Sequence, residues 1–400
     1  MQKVHVIYFV SVLCIFCLVA VGCAGKSEGG SSVSAEIGQS SVTDSKESTD
    51  VGDNILEPYI MINGEQLMQL YPESMSDTFQ AKEFFLPLEE GCEIGSITAG
   101  ENSIFYEIQQ GVDEGQYDTH SWIYRLDTET GGTEFVLEIE NDGGTFYINE
   151  LNCVGDDLFW YYEDANESKV ERYSLETRVR DVLVQSDAAY PYVLCGDDRF
   201  LTWYEAKDGE ISLFTYDTEQ NELFCIARGI TADSPFTRAY VIDGKTFYLE
   251  STSTGRRLVI YDLIDKAVCY TCVLPTSFEA TRLQTNGEYV ICTERYDSES
   301  PLFLLNREKK TFDKMEIDLG AGYIFACHLF KDYVVINSNG SDETVIVSLA
   351  DKRYIKLPVS THLVQSNISP EGMYYACTCY HTEGRDTPVG VIYALMLNDT

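Results

Sequence analysis

Ser103-Ile104-Phe105-Tyr106 is a short apolar stretch whose pattern returns six more times along the chain. Its counterparts are Asp157-Leu158-Phe159-Trp160, Arg199-Phe200-Leu201-Thr202, Thr246-Phe247-Tyr248, Glu288-Tyr289-Val290-Ile291, Asp332-Tyr333-Val334-Val335 and Gly372-Met373-Tyr374-Tyr375. Between the matching apolar residues, from Phe105 to Tyr374, the steps are 54, 42, 46, 43, 44 and 40 residues. A period of this length, made of short strands and polar turns, is typical of a β-propeller.

One repeat shows the plan of all seven, with strands predicted at residues 146–154, 158–162, 169–175 and 181–185. The turns between the first and second strands of other repeats carry Asp197-Asp198, Asp243-Gly244, Asn286-Gly287 and Glu371-Gly372. Gly and Asn tolerate a positive φ, and Asp caps its own backbone, so these residues suit tight turns. Since no repeat shows the helical period that would mark a βαβ unit, we predict an all-β fold.

The two ends of the repeat region predict how the ring closes. The last repeat offers three strands, at residues 362–368, 373–380 and 390–397. An extra strand at 82–88 precedes the first complete repeat and is similar in sequence to the fourth strand at 353–359. We therefore predict a seven-bladed β-propeller over residues 82–400, with the seventh blade closed by the N-terminal strand.

The N-terminal residues 1–22 have the order of an export signal. Lys3 is followed by residues 4–21, which carry no formal charge apart from a possible one on His5. The ending Ala20-Val21-Gly22-Cys23 resembles the lipobox of bacterial lipoproteins. The resemblance implies that Cys23 is acylated on sulfur and becomes the first mature residue. The chain would then be anchored by lipid to the outside of the cytoplasmic membrane, in the bacterial cell envelope. The alternative is an uncleaved single-span anchor, because the apolar stretch approaches the length that spans a bilayer.

Two segments separate this signal from the propeller. Residues 23–53 are rich in Ser, Gly and acidic residues and hold no aromatic residue, which predicts a flexible tether. Residues 54–81 form an N-terminal extension whose structure the sequence leaves open. It either covers an edge of the ring or forms a short helix.

The net charge of the chain limits the kinds of partner that it can bind. Lys and Arg number 28 against 65 Asp and Glu, which gives a net charge of −37. This excess argues against nucleic acid, whose phosphates need a basic surface, and against broad contact with anionic lipid. It suits a dispersed extracytoplasmic protein or one that meets cationic partners.

Ten of the 13 cysteines lie outside the signal region, and most fall inside apolar predicted strands. There, free cysteine behaves as a small apolar residue, although an exported protein could also pair them, and the sequence leaves this open. Cys269 and Cys272 form a C-x-x-C on a predicted outer strand. Residues three apart on a strand point to opposite faces, so a redox role is disfavoured.

The repeats resemble those of known propellers. Leu158-Phe159-Trp160-Tyr161 and the Asp-Thr turns at Asp127-Thr128 and Asp217-Thr218 are similar to the repeats of YWTD-type and Tol-system periplasmic propellers. The resemblance covers residues 82–400 and implies the fold alone. It transfers no site residue, because the matching positions are structural.

Motifs for catalysis or metal binding are missing from the sequence. We find no G-x-S-x-G elbow, no H-E-x-x-H and no Cys/His spacing of zinc type, so we assign no catalytic residue, metal ligand or cofactor. The five histidines are dispersed along the chain.

One pattern indicates ligand binding. Aromatic residues or histidine stand near the predicted starts of the first strands, at Phe146, Tyr190, Phe236, Phe278, Tyr323 and His362. Acidic loops are predicted on the same face of the ring. Aromatic rings with carboxylates around them suit a sugar, a peptide or a cationic ligand. The alternative is that these side chains only wedge between blades.

These observations favour a membrane-anchored, non-catalytic binding or scaffold module for an envelope protein, a peptide or a glycan. One alternative is a propeller enzyme, a hydrolase or lyase, that acts on glycans or peptides. Titratable side chains with strongly shifted pKa values that meet in the central channel would favour the enzyme. Another alternative is a subunit of an envelope complex.

Overall fold

The computed structural model describes eighteen stretches of the chain: residues 66–68, 71–72, 79–100, 102–111, 118–140, 146–164, 167–186, 193–207, 210–230, 239–252, 255–274, 282–293, 302–315, 323–339, 344–357, 363–368, 374–380 and 389–397. Every regular element within them is a β-strand. In the part of the chain so described, no helix has the length and apolar character needed to cross a membrane.

The strands alternate with short turns along the whole described chain. In order they are β1 (Gln66–Met68), β2 (Tyr71–Pro72), β3 (Phe79–Pro87), β4 (Cys92–Gly100), β5 (Ser103–Gly111), β6 (Asp118–Asp127), β7 (Thr133–Glu140), β8 (Phe146–Val154), β9 (Asp157–Asp164), β10 (Ser168–Ser174), β11 (Arg180–Ser186), β12 (Cys195–Gly196), β13 (Phe200–Lys207), β14 (Glu210–Asp217), β15 (Glu222–Ala227), β16 (Tyr240–Ile242), β17 (Lys245–Thr252), β18 (Gly255–Asp262), β19 (Ala267–Val273), β20 (Arg282–Thr285), β21 (Tyr289–Thr293), β22 (Leu302–Asn306), β23 (Thr311–Met315), β24 (Tyr323–Phe330), β25 (Tyr333–Asn339), β26 (Thr344–Ser348), β27 (Arg353–Leu357), β28 (Leu363–Ile368), β29 (Tyr374–Tyr380) and β30 (Val389–Leu397).

The described strands form six hydrogen-bonded sheets, whereas the sequence predicted seven separate blades. The difference arises in the largest sheet, which has eight strands. Strands β4 to β7 pair in chain order, and so do β8 to β11. A single residue pair, Asp118 with Phe146, links β6 to β8 and joins the two sets. The other five sheets contain β12–β15, β16–β19, β20–β23, β24–β27 and β28–β30, with an N-terminal strand added to three of them.

The N-terminal strands run along the outer edges of the last three sheets. Strand β3 pairs antiparallel with β30 over nine residue pairs, from Phe79 with Leu397 to Pro87 with Val389. Strands β1 and β2 pair in parallel with β23 and β27, as fifth strands of their sheets. The extension at 54–81 therefore contains edge strands, and the strand predicted at 82–88 begins earlier, at Phe79.

The first strands of the four-stranded sets contact one another in chain order. Strand β4 contacts β8, and the contacts continue through β12, β16, β20 and β24 to β28, which in turn contacts β4. The first strands therefore surround a common axis, and the outer strands lie away from it. This arrangement is a β-propeller.

Strand β9 is covered on both faces, which explains why its residues from Asp157 to Tyr162 are buried without alternation. In β9, Leu158 and Trp160 pack against the preceding strands, in a cluster with Phe105. Phe159 and Tyr161 point the other way, into the following sheet. Each buried large apolar side chain contributes about 1.5–3 kcal/mol to stability. A strand covered on both faces therefore stabilises the fold about twice as much as a strand covered on one face.

The turns between third and fourth strands share one design. Asp262 Oδ1 accepts the backbone N–H groups of Ile264 and Asp265 at 3.0 Å each, and Lys266 then has a φ of 49°. The same combination of a capping side chain and a positive φ four residues later recurs with Asp127, Ser174, Asp217, Asn306 and Ser348 as caps. The Asp turns predicted from the sequence thus have one geometry, in which a side-chain oxygen satisfies backbone donors.

Candidate functional site

The residues that the sequence singled out for binding fall mostly outside the described chain. Tyr190, Phe236, Phe278 and His362 lie in parts that the structure does not describe, and so does Cys23. Tyr323 is the first residue of β24, where its backbone pairs with Asn339. The face that these residues were predicted to form therefore stays a prediction.

Phe146 is the described member of that pattern, and it belongs to the core. Its side chain is fully buried, and its ring stacks on Tyr162 with the centroids 5.4 Å apart. For this residue the packing alternative, a wedge between blades, is correct.

A cavity opens at the other end of the first strands, where each one turns into the second strand. Its volume is about 320 Å³. Six first strands supply one lining residue each at the same register, two residues before the last paired residue of the hairpin: Thr98, Asn152, Cys195, Tyr240, Gln284 and His328. Apolar residues such as Leu194, Val241 and Leu329 lie beside this ring. Because these residues come from the strands that surround the axis, the cavity lies along the propeller axis.

Charged residues line the same cavity. They are Glu150, Asp197, Asp198, Arg199 and Asp243. Glu150 is placed by an irregularity in β8, where the pairing register shifts between Asn149 and Asn152 and Glu150 has a φ of 57°. The other four come from the turns after β12 and β16. Titratable side chains therefore line this end of the axis. The hydrogen bonds of Asp197 and Arg199 show what these two side chains do there.

Asp197 holds two neighbouring sheets together. Its Oδ1 accepts the backbone N–H groups of Arg199 at 3.0 Å and Phe200 at 2.8 Å, which caps the hairpin turn between β12 and β13. Its Oδ2 accepts the N–H of Gly244 at 3.0 Å, in the turn of the next sheet. Gly244 has a φ of 67°, in the left-handed region that glycine adopts without strain. Both carboxylate oxygens of Asp197 thus bind backbone N–H groups of the turns. We call these turns, together with the side chains that link them, the frame.

Asn286 links two neighbouring turns in the same way, two sheets further along the chain. Its Oδ1 accepts the N–H groups of Glu288 at 3.1 Å and Tyr289 at 2.8 Å, and its Nδ2 donates to the carbonyl of Lys331 at 2.6 Å, in the following sheet. An amide can donate across the gap where a carboxylate must accept. Either residue therefore joins neighbouring turns, provided that the next turn presents the matching backbone group.

Arg199 is also part of the frame. Its Nε and Nη2 donate to the two oxygens of Asp217 at 3.0 and 2.6 Å, and its Nη1 lies 2.6 Å from Glu219 Oε2. Burial favours a raised pKa for Asp217, but hydrogen bonds and charge from Arg199, with backbone N–H groups of Gln220 and Glu219, hold that pKa below its usual value. The pair ties the turn between β12 and β13 to the turn between β14 and β15.

The side-chain bond across the sheets predicts a graded loss of stability at position 197. We expect Asp197→Ala to lower the free energy of unfolding by about 1–3 kcal/mol, because three backbone N–H groups lose their acceptor. Asp197→Asn is expected to cost less, since the amide oxygen still caps its own turn while Nδ2 cannot accept from Gly244. Urea unfolding measures both values. Asp265→Ala, at an exposed turn, is the control, and equal stability of Asp197→Ala and the parent would contradict the assignment.

The cysteines whose side chains the structure describes are free thiols, and most of them are buried or partly buried in the sheets. Eight are present as thiols: Cys92, Cys153, Cys195, Cys225, Cys269, Cys272, Cys292 and Cys327. Burial raises the pKa of Cys153, which lines the cavity, to about 12, so its thiol is protonated and a poor nucleophile at neutral pH. Cys269 is exposed and Cys272 is buried.

Within the described stretches, no three His, Cys, Asp or Glu side chains lie close enough together to hold a metal ion. The residues that line the cavity offer hydrogen bonding and charge. Gln284 Nε2 lies 3.4 Å from His328 Nδ1, and if the amide donates, that imidazole carries its proton on Nε2.

Comparison with known proteins identifies the fold. No protein-family model matches the chain, and no curated protein matches it. Among solved structures, it is similar to the β-propeller domain of the Trilobed protease from Pyrococcus furiosus, at 11% identity and a TM-score of 0.54, covering 75% of this chain and 93% of that one. It is also similar to oligogalacturonate lyase in complex with manganese, at 10% identity and a TM-score of 0.51, covering 80% and 98%.

A third similar structure is the acylaminoacyl peptidase of Pyrococcus horikoshii, at 12% identity and a TM-score of 0.50. The alignment covers 77% of this chain but 51% of the peptidase, so the chain spans about half of the length of that protein. At these identities the similarity shows the fold alone. The chain is a β-propeller.

Proposed function

We propose that this chain is an extracytoplasmic lipoprotein whose propeller is a non-catalytic binding or scaffold module for a protein, a peptide or a glycan. In this proposal residues 1–22 are the signal peptide, Cys23 carries the lipid, and residues 23–53 form the tether. The propeller would then be held just outside the cytoplasmic membrane of a bacterial cell. The residue order at Ala20-Val21-Gly22-Cys23 supports the anchor.

The proposal includes a ring of seven blades. We count the two halves of the eight-stranded sheet as separate blades, because one residue pair joins them while four strands pair within each half. We also take the pairing of β3 with β30 as the closure of the seventh blade. The succession of contacts between first strands, from β4 round to β28 and back to β4, supports this count.

The observation that carries the non-catalytic role is the bonding of Asp197 and Arg199, two of the charged residues near the axis. Asp197 binds three backbone N–H groups and Arg199 binds two carboxylates, so both are held in place by the frame. A general acid, base or nucleophile needs a side chain that can approach a substrate and exchange a proton with it. Groups whose hydrogen bonds are already made within the turns stabilise a rigid surface instead.

The lyase similarity is the observation that favours an enzyme, since it extends over 98% of the lyase chain. A glycan lyase of that kind would be shown by unsaturated products after incubation of the protein with oligogalacturonate and manganese. We expect no product, because Asp197 and Arg199 near the axis are held by hydrogen bonds and ion pairs within the turns. Product formation would replace the non-catalytic proposal with the enzyme.

The lipid anchor is tested at Cys23. We expect Cys23→Ser to move the full-length protein from the membrane fraction to the soluble fraction of a bacterial host, with loss of fatty-acid labelling. Cys17→Ser is the matched control, because Cys17 lies in the same apolar stretch but outside the lipobox, and it should leave both readouts unchanged. Membrane retention of Cys23→Ser without any labelling of the parent would instead establish the uncleaved single-span anchor.

A further inference from the structure

The axial cavity is the feature that the proposed frame leaves unused, and we infer that it binds a small organic cation that carries at least one ammonium group. The inference goes beyond the proposed function, because it assigns a separate small-molecule site on the axis of the propeller. At about 320 Å³, the cavity is at the lower end of the range of ligand pockets, so it suits a small molecule.

Gln284 leaves one acceptor unused within the cavity lining. Its Nε2 faces His328 Nδ1 at 3.4 Å, while its Oε1 is buried and has no hydrogen-bond partner. Buried polar atoms in folded proteins nearly always have a partner, so such an oxygen marks a place where a donor belongs. A ligand that carries N–H groups would supply one.

The charges at the mouth of the cavity decide the sign of the ligand. Glu150, Asp198 and Asp243 bring carboxylates to the lining, and Asp197 adds a fourth. Arg199 is the cation among these lining residues, and Asp217 and Glu219 already pair with it. An anion would therefore meet repulsion there, while an ammonium group would be attracted and would donate hydrogen bonds to carboxylate and amide oxygens alike.

The position of Asp243 makes it a suitable point for a test. Asp243 has a φ of 50°, a backbone conformation that Asn adopts as readily as Asp. Asp243→Asn therefore removes the charge and retains the turn. Gln284→Leu is an independent change of similar size that removes the unused acceptor.

The experiment uses the full-length protein in detergent, with spermidine as the probe in isothermal titration calorimetry at fixed ionic strength. We expect one saturable site, weakened about 5–10-fold by Asp243→Asn through the loss of one partly screened charge contact. Gln284→Leu should also weaken binding several-fold. Asp181→Asn, on the exposed outer strand β11, is the matched control, because it changes net charge equally without touching the cavity. It should leave the affinity within about twofold.

Each other outcome overturns the inference. Equal weakening by Asp181→Asn and Asp243→Asn would mean diffuse attraction to an acidic protein. Saturable binding of N-acetylglucosamine without binding of spermidine would show that the cavity takes a neutral ligand. Absence of a saturable site would refute the inference as well. The result of the Cys23 fractionation would be unaffected, so failure of the inference can be distinguished from failure of the proposed function. Unfolding midpoints of both cavity variants, measured alongside, verify that each one is folded.

Discussion

Deletion of residues 79–87 is expected to abolish the single cooperative unfolding transition of this protein. Strand β3 makes nine residue pairs with β30 and brings the N-terminal part of the chain against its C-terminal part. Phe84 and Leu86 of this strand are buried in one cluster with Ile94 and Ile392. Without them, the last sheet loses its outer strand, and the apolar face that it shares with the first sheet becomes exposed to water.

Two point substitutions on the same strand refine this test. Phe84 is 7% exposed and Phe85 is 61% exposed, although they are neighbours. We expect Phe84→Ala to destabilise the protein by about 3 kcal/mol and Phe85→Ala by less than about 1 kcal/mol. Urea unfolding followed by circular dichroism and fluorescence measures all three variants. A deletion variant that melts like the parent would show that β3 does not close the ring.

Trp160→Ala is expected to be the most damaging single substitution in the second set of strands. The side chain is fully buried, and its Nε1 donates to Glu171 Oε2 at 2.8 Å. Glu171, which is 2% exposed, also receives Arg180 Nη2 at 2.7 Å. Removing the indole leaves a cavity and a buried carboxylate with one donor fewer. The expected loss is about 3–5 kcal/mol in the free energy of unfolding.

A matched pair of Phe substitutions separates the hydrogen bond from the packing. Trp160→Phe retains most of the ring but loses the buried N–H, so we expect a loss of about 1–3 kcal/mol. Trp122 makes the same kind of bond, to Glu138 Oε1 at 2.9 Å, in an exposed setting. Trp122→Phe should therefore cost less than about 1 kcal/mol, because water replaces the lost donor. Equal losses in the two variants would contradict a special role for burial.

Much of the strand pattern could be predicted from the sequence. The first strand of the second repeat was predicted at 146–154, and β8 occupies those residues. The strand predicted at 390–397 corresponds to β30, which starts one residue earlier. These predictions succeeded because strands and turns depend on neighbouring residues: apolar runs bounded by Asp, Asn and Gly have few other conformations open to them. The all-β propeller fold predicted from the period is confirmed.

The candidate site was harder to predict, because its parts lie far apart in sequence. The lining of the cavity includes one residue at the same register of each of six strands, and these polar residues are of six different types. The link from Asp197 to Gly244 spans 47 residues, and a turn-forming Asp looks the same whether or not a neighbouring sheet presents an N–H to it. A signal that could have found it is the recurrence of Asp or Asn at the same turn, at Asp197 and Asn286.

The repeating unit follows from local sequence: its short strands, its Asp-capped turns and the apolar residues on both faces that require a neighbour on each side. Local steric preference and the hydrophobic effect are sufficient for that, since both act within one repeat. Which groups come together around the axis depends on how the sheets pack against one another. Gly196 shows why: a Cβ there would collide with Val154 of the preceding sheet, so the approach of two first strands depends on a contact between residues 42 positions apart. Such contacts arise only when the sheets pack together.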